Sequence, residues 1–98
     1  AWELNVTART GHSSGVFGPS LGYGAIYEAA RIIDTFRRTL MEPNATFNVG
    51  LIAGGTPATI DAGGSNVTAT GKTNIVASTV VARGDLRTLT PEQDQRLR

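Results

Sequence analysis

Cysteine is absent from the 98 residues, and histidine, lysine, methionine and tryptophan each occur once. Without thiols, a disulfide framework and a thiolate metal site are both excluded. A zinc site built within one chain needs three or four ligands, and the lone His12 with acids scattered over separate segments provides no such set. Long apolar runs are missing too. No stretch of about 20 apolar residues could cross a bilayer as a helix, and the opening AWELNVTART lacks the basic and apolar regions of a signal peptide. Charge of one sign is also lacking: nine basic residues face eight acidic ones. The arginines are dispersed, so the sequence carries no electrostatic footprint for nucleic acid or for a membrane surface. The HExxH, CxxC and nucleophile-elbow patterns do not occur. Gly71-Lys72-Thr73 precedes a strand pattern, whereas a phosphate loop follows a strand and opens a helix.

Glycine is plentiful, at 12 residues, and apolar residues make up 40% of the chain, a globular composition on the polar side. A chain this short supports one domain, with one sheet and helices on one of its faces. Trp2, Leu4, Val6 and Ala8 alternate with polar residues and predict a half-buried strand. Gly11–Leu21 is a loop rich in Gly and Ser. A helix is predicted over Tyr23–Leu40, its core stripe formed by Ile26, Ala29, Ala30, Ile33, Phe36 and Leu40. Ile32 breaks the polar face, either as a widening of that stripe or as a residue facing a partner. Pro43 ends the helix.

Phe47, Val49, Leu51 and Ala53 predict a second alternating strand, stopped by Gly54-Gly55. Thr56–Lys72 reads as a long Gly/Thr-rich connection, with a minor strand possible over Ser65–Ala69. Asn74–Arg87 is the longest strand signal. It is apolar on both faces, which predicts a central strand with helix on one side and other cover on the second. Arg83, Asp85 and Arg87 share that second face unless Gly84 hosts a bulge. Thr90-Pro91-Glu92-Gln93 opens a second helix with a capping box and Pro at its first position. The order strand, helix, strand, strand, helix predicts an α+β, ferredoxin-like split βαβ sandwich, an antiparallel sheet with helices on one face. The expected domain is a fragment cut inside its second helix, with the last strand and a catalytic zinc domain lying outside these residues. The compartment stays open.

The ordered set Gly11-His12-Ser13-Ser14, Asn48-Val49-Gly50-Leu51-Ile52-Ala53-Gly54-Gly55, Gly71-Lys72-Thr73-Asn74-Ile75-Val76-Ala77 and Gly84-Asp85-Leu86-Arg87 covers nearly the whole chain. It resembles the dimerisation, or lid, domain of the two-zinc exopeptidases and amidohydrolases: the glutamate carboxypeptidase, acetylornithine deacetylase and aminoacylase superfamily, peptidase family M-20. The resemblance implies a parent zinc-dependent carboxypeptidase or amidohydrolase, with both zinc ions held by a separate catalytic domain of the same polypeptide. The substrate class it implies is a peptide or N-acyl amino acid. His12 would be the catalytic group of this domain, donating a hydrogen bond to the developing oxyanion in the partner subunit. Asn74 and Arg87 would bind the substrate carboxylate, for which a guanidinium fork is suited, and Asp85 would orient Arg87. Two departures from the family pattern are the absence of Pro near Ala77 and the length of the Thr56–Lys72 connection.

Strand 47–53 is expected at a sheet edge. It carries neither charge nor Pro, two of the devices that blunt natural edges. It is therefore expected to pair with its own copy across a two-fold axis. The expected homodimer interface comprises Phe47, Val49, Gly50, Leu51 and Ile32, with helix 23–40 beside the strand. A reading of a different class is a free-standing ferredoxin-like binding or regulatory module, in which His12 is an exposed loop residue and Asp85–Arg87 an ordinary surface pair.

Overall fold

A computed structural model describes residues 2–39 and 46–87. Five strands and one helix run in the order β1 (Trp2–Thr7), α1 (Gly24–Thr39), β2 (Thr46–Gly55), β3 (Ala58–Ile60), β4 (Val67–Ala69) and β5 (Thr79–Arg87). The main sheet has the order β1-β5-β2, with β5 antiparallel to both neighbours. β1 and β2 are therefore parallel and joined across β5 by α1, the split βαβ arrangement. The fold is α+β and ferredoxin-like. Leu40, Pro43, the Thr90–Gln93 helix and the strand expected beyond it lie outside the described residues.

α1 covers one face of the sheet. The core is Val6, Ala25, Ala29 and Val80, with Leu4 and Ile32 packed against it. The stripe that faces the sheet is thus Ala25, Ala29, Ile32 and Phe36, rotated from the expected one. Ile26 is 50% exposed and Ala30 is also exposed. Two alanines let the helix settle close to β5, and the bulky Ile26 falls to the flank. Ile32 takes its apolar character from this packing, which accounts for the break in the polar face within the chain itself. The outer face carries Glu28–Arg31, Asp34–Arg37 and Asp34–Arg38 ion pairs at helical spacing, exposed pairs that add little to stability.

β5 runs without a bulge at Gly84, and the irregularity is in β2. Val49 pairs with Gly84 and Leu51 with Arg83, leaving Gly50 as the extra residue. The alternating series is therefore split. Phe47 and Val49 lie on the helix face with Leu86 and Gly84, whereas Leu51 and Ala53 lie on the opposite face with Arg83 and Val81. The edge consequently carries the third blunting device, a bulge. Phe47 is half-buried, stacked on Trp2 at 4.9 Å and edge-on to Phe36 at 6.0 Å. The Trp2 indole N–H beneath that stack is buried without an acceptor among the described residues.

The Thr56–Lys72 connection is a β-arm. β3 and β4 pair antiparallel, Ala58 with Ala69 through Ile60 with Val67, and the Thr56 amide continues the ladder to the Thr70 carbonyl at 2.6 Å. Asp61 closes the tip. Its carboxylate accepts from the Ser65 and Asn66 amides and from the Asn66 side chain. Gly64 in that tip packs directly against the Arg83 guanidinium. The arm thus lies on the sheet face away from the helix, where Val81 is buried, as the two-faced apolarity of β5 requires.

Candidate functional site

His12 sits beyond the end of β1 on a continuation of the β1–β5 ladder. The Ala8 amide donates to the Ser78 carbonyl at 2.9 Å, the Val76 amide to the Gly11 carbonyl at 2.7 Å, and the Ser13 amide to the Asn74 carbonyl at 2.8 Å. The last two bonds frame an antiparallel bridge between His12 and Ile75. It is a non-hydrogen-bonded pair, in which Cα atoms stand about 4.5 Å apart with side chains on one face. Thr10 fastens the segment further through its hydroxyl, which donates to the Val76 carbonyl at 2.6 Å.

His12 also caps the short 3-10 turn Ser13–Gly15. Its Nδ1 accepts the Ser14 amide proton at 3.1 Å and lies 3.0 Å from Ser14 Oγ. A backbone N–H can only donate, so Nδ1 is the acceptor and the proton of the neutral ring resides on Nε2. The imidazole is exposed. It therefore presents an Nε2–H donor outward, held in one tautomer by the turn that follows it.

Asn74 lies beside His12 through the Ser13–Asn74 backbone bond, at the end of a turn in which the Ile75 amide donates to the Lys72 carbonyl at 3.1 Å. The sequence-predicted strand Asn74–Arg87 begins only at Thr79, because residues 74–78 bend to pair with the His12 loop. Asp85 and Arg87 occupy the far end of β5. Arg87 Nε donates to Asp85 Oδ2 at 2.7 Å, with the Arg87 side chain 81% exposed, which leaves its terminal nitrogens outward. One chain does not bring Asn74 and Arg87 together. From Thr79 to Arg87 alone, β5 spans about 26 Å at about 3.3 Å per residue, beyond the reach of both side chains.

A group that sequence reasoning missed lies next to His12. Phe17, Tyr23 and Tyr27 form an aromatic cluster, with ring centroids 4.9 Å, 5.4 Å and 6.5 Å apart, and all three are more than half exposed. The available signal was the pair Tyr23 and Tyr27, four residues apart at the start of the predicted helix and off its core stripe. Among the described residues no group of three or more His, Asp or Glu side chains could hold a metal ion.

The sequence profile of the peptidase dimerisation domain matches residues 1–98, the whole chain. This chain belongs to the M-20 peptidase dimerisation domain family. No curated protein matches it closely enough to add a relative. As a dimerisation domain the chain has a role in forming the homodimer of a parent peptidase.

Proposed function

We propose that this dimerisation domain caps the active sites of a zinc-dependent carboxypeptidase or amidohydrolase acting on a peptide or N-acyl amino acid, and that each site is completed by two chains. His12 and Asn74 come from one chain and Arg87 from the other. The observation that carries this reading is the separation of about 26 Å along β5 between the His12–Asn74 end and the Asp85–Arg87 end. Antiparallel pairing of two β2 edges across a two-fold axis removes the separation. It sets the His12 end of one sheet beside the Arg87 end of the other, with the two β5 strands three strand spacings apart, about 14 Å.

In this arrangement the His12 Nε2–H donates to the oxygen that gains charge as the amide carbonyl is attacked. Asn74 adds an amide donor or acceptor close by. Arg87, held by Asp85 at Nε, turns its terminal nitrogens to the substrate carboxylate. Two zinc ions would be held by the catalytic domain, and this domain contributes hydrogen-bond donors alone.

The test is subunit complementation in the parent enzyme. As homodimers, His12→Ala is expected to lose turnover about 10²–10³-fold, the size of losing one oxyanion donor, and Arg87→Ala to lose kcat/KM chiefly through a raised KM, because the grip on the carboxylate is gone. A heterodimer of the two variants then has one site lacking both groups and one intact site. Recovery of about half the wild-type turnover is expected from that count of sites. An inactive heterodimer means that His12 and Arg87 of one chain serve the same site, which overturns the reading.

A further inference from the structure

Five of the large exposed apolar residues gather at the His12 end of the molecule: Phe17, Tyr23, Ile26, Tyr27 and Ile75, between 36% and 62% exposed. An apolar patch of this kind on a small domain marks a contact surface. It is shaped as a groove of about 330 Å³ between the start of α1 and the 73–77 segment, walled by Val16, Tyr23, Ile26, Tyr27 and Ile75. No charged side chain among the described residues lines it. The backbone around it is held at a cost. Phe17 has φ 69°, a left-handed conformation unfavourable for a bulky residue. Its amide is fixed to the Gly22 carbonyl at 2.6 Å and its ring to Tyr23 and Tyr27.

We infer that this groove is a specificity subsite for an uncharged, apolar side chain of the substrate held at the neighbouring active site. Position carries the argument. Ile75 is the bridge partner of His12, so the two side chains leave the same face about 4.5 Å apart at their Cα atoms. A group resting on Ile75 therefore lies one residue from the imidazole. The volume falls at the small end of ligand pockets, about 300–1,000 Å³, with room for one branched or aromatic side chain. The lining residues are uncharged, with Ser13, Tyr23, Tyr27 and Thr73 the polar ones among them, so a carboxylate entering the groove would lose water and gain no counter-charge. The inference rests on the proposed role of His12 at a neighbouring site and adds the substrate class that the site selects.

The experiment uses the full-length parent enzyme and two matched substrate series. One is N-acetyl-Ala, N-acetyl-Leu, N-acetyl-Phe and N-acetyl-Glu. The other is alanine carrying an acetyl, benzoyl or succinyl group. In one of the two series the wild type should favour the apolar member over the small and the acidic ones by about tenfold or more in kcat/KM, the worth of a filled apolar pocket. Tyr27→Ala and Ile26→Ala, two groove positions outside the His12 bridge, should erase that preference, chiefly by raising KM for the apolar substrate, and should change the smallest substrate by less than about threefold. His12→Ala should instead lower kcat for every substrate alike.

The outcomes separate. A wild type without apolar preference overturns the subsite. So do groove variants that depress all substrates equally, or that shift the mass of the dimer in light scattering, because the patch is then a protein contact. Unchanged turnover in His12→Ala overturns the proposed role of His12. In that case the loss of preference in Tyr27→Ala and Ile26→Ala still decides whether the groove binds substrate.

Discussion

The indole of Trp2 lies flat on the phenyl ring of Phe47, ring centroids 4.9 Å apart and planes 10° from parallel. The two residues belong to opposite edges of the sheet and meet only because Gly84 stands between them in β5, paired with Trp2 on one side and Val49 on the other. A Cβ at Gly84 would overlap the Trp2 ring and the Asn48 carbonyl oxygen. One of those obstacles is backbone, so rotamer changes cannot relieve it. Gly84→Ala is expected to destabilise the domain by at least about 3 kcal/mol, the upper end of the overpacking range. Urea unfolding followed by tryptophan fluorescence measures this directly, since Trp2 is the sole reporter. A midpoint equal to wild type would show that the stack is not what Gly84 protects.

The rotation of the helix stripe is testable at adjacent residues. Ala29 is 1% exposed and belongs to the core, whereas Ala30 is exposed. Ala29→Leu should cost about 1–3 kcal/mol by forcing α1 away from Val80. Ala30→Leu should fall within about 0.5 kcal/mol of wild type. Thermal unfolding of the two variants gives the comparison, and the reverse order would restore the stripe that periodicity alone suggests.

The arm tip should respond to acid. Hydrogen bonds from the Asn66 side chain and amide, and from the Ser65 amide, hold the Asp61 carboxyl below its ordinary value of 3.8. A carboxyl with a depressed folded value stabilises the folded tip at pH above its unfolded value. That contribution is lost as pH falls through the depressed value. Amide exchange at Ser65 and Asn66 should therefore be protected at neutral pH and accelerate relative to the β1–β5 amides as pH falls below the ordinary aspartate range. Asp61→Ala should show the unprotected rates at neutral pH. Equal protection in that variant would mean that the β3–β4 ladder alone holds the tip.

The pairing edge gives a mass-based prediction. A Cβ at Gly50 meets nothing closer than 3.8 Å, so lysine fits the monomer at the bulge. On an edge that pairs with its own copy, Gly50→Lys places two like charges near the two-fold axis. The variant is expected to run as a monomer in light scattering at concentrations where wild type is a dimer, with an unchanged circular dichroism spectrum. A dimeric variant would place the interface elsewhere.

The sequence carried the sheet and the helix well. Alternation from Trp2 to Ala8 marked β1, and the apolarity of both faces between Val76 and Val81 marked β5 as central, because a strand covered on both sides has no solvent face to leave polar. Periodicity found α1 but put the wrong residues inward. Alanine is too weakly apolar for Ala25 to outweigh Ile26, although close packing to a sheet favours the small side chain. The ordered motifs around His12, Asn74 and Arg87 pointed to the family, and the profile match over the whole chain agrees.

Other features required the tertiary structure. An inserted residue at Gly50 leaves no mark on a period of two when both flanks are apolar, so only the pairing with Gly84 and Arg83 shows that β2 changes face there. The tautomer of His12 depends on the turn that returns the Ser14 amide to its Nδ1. The aromatic groove exists because a loop and a helix start, distant from Ile75 in sequence, are folded onto it. The distance between Asn74 and Arg87 was undetermined as well. Thirteen residues could bring two side chains together around a turn or hold them apart along a strand. Extended β5 holds them apart, because its backbone groups are bonded to β1 and β2 on both sides and cannot fold back.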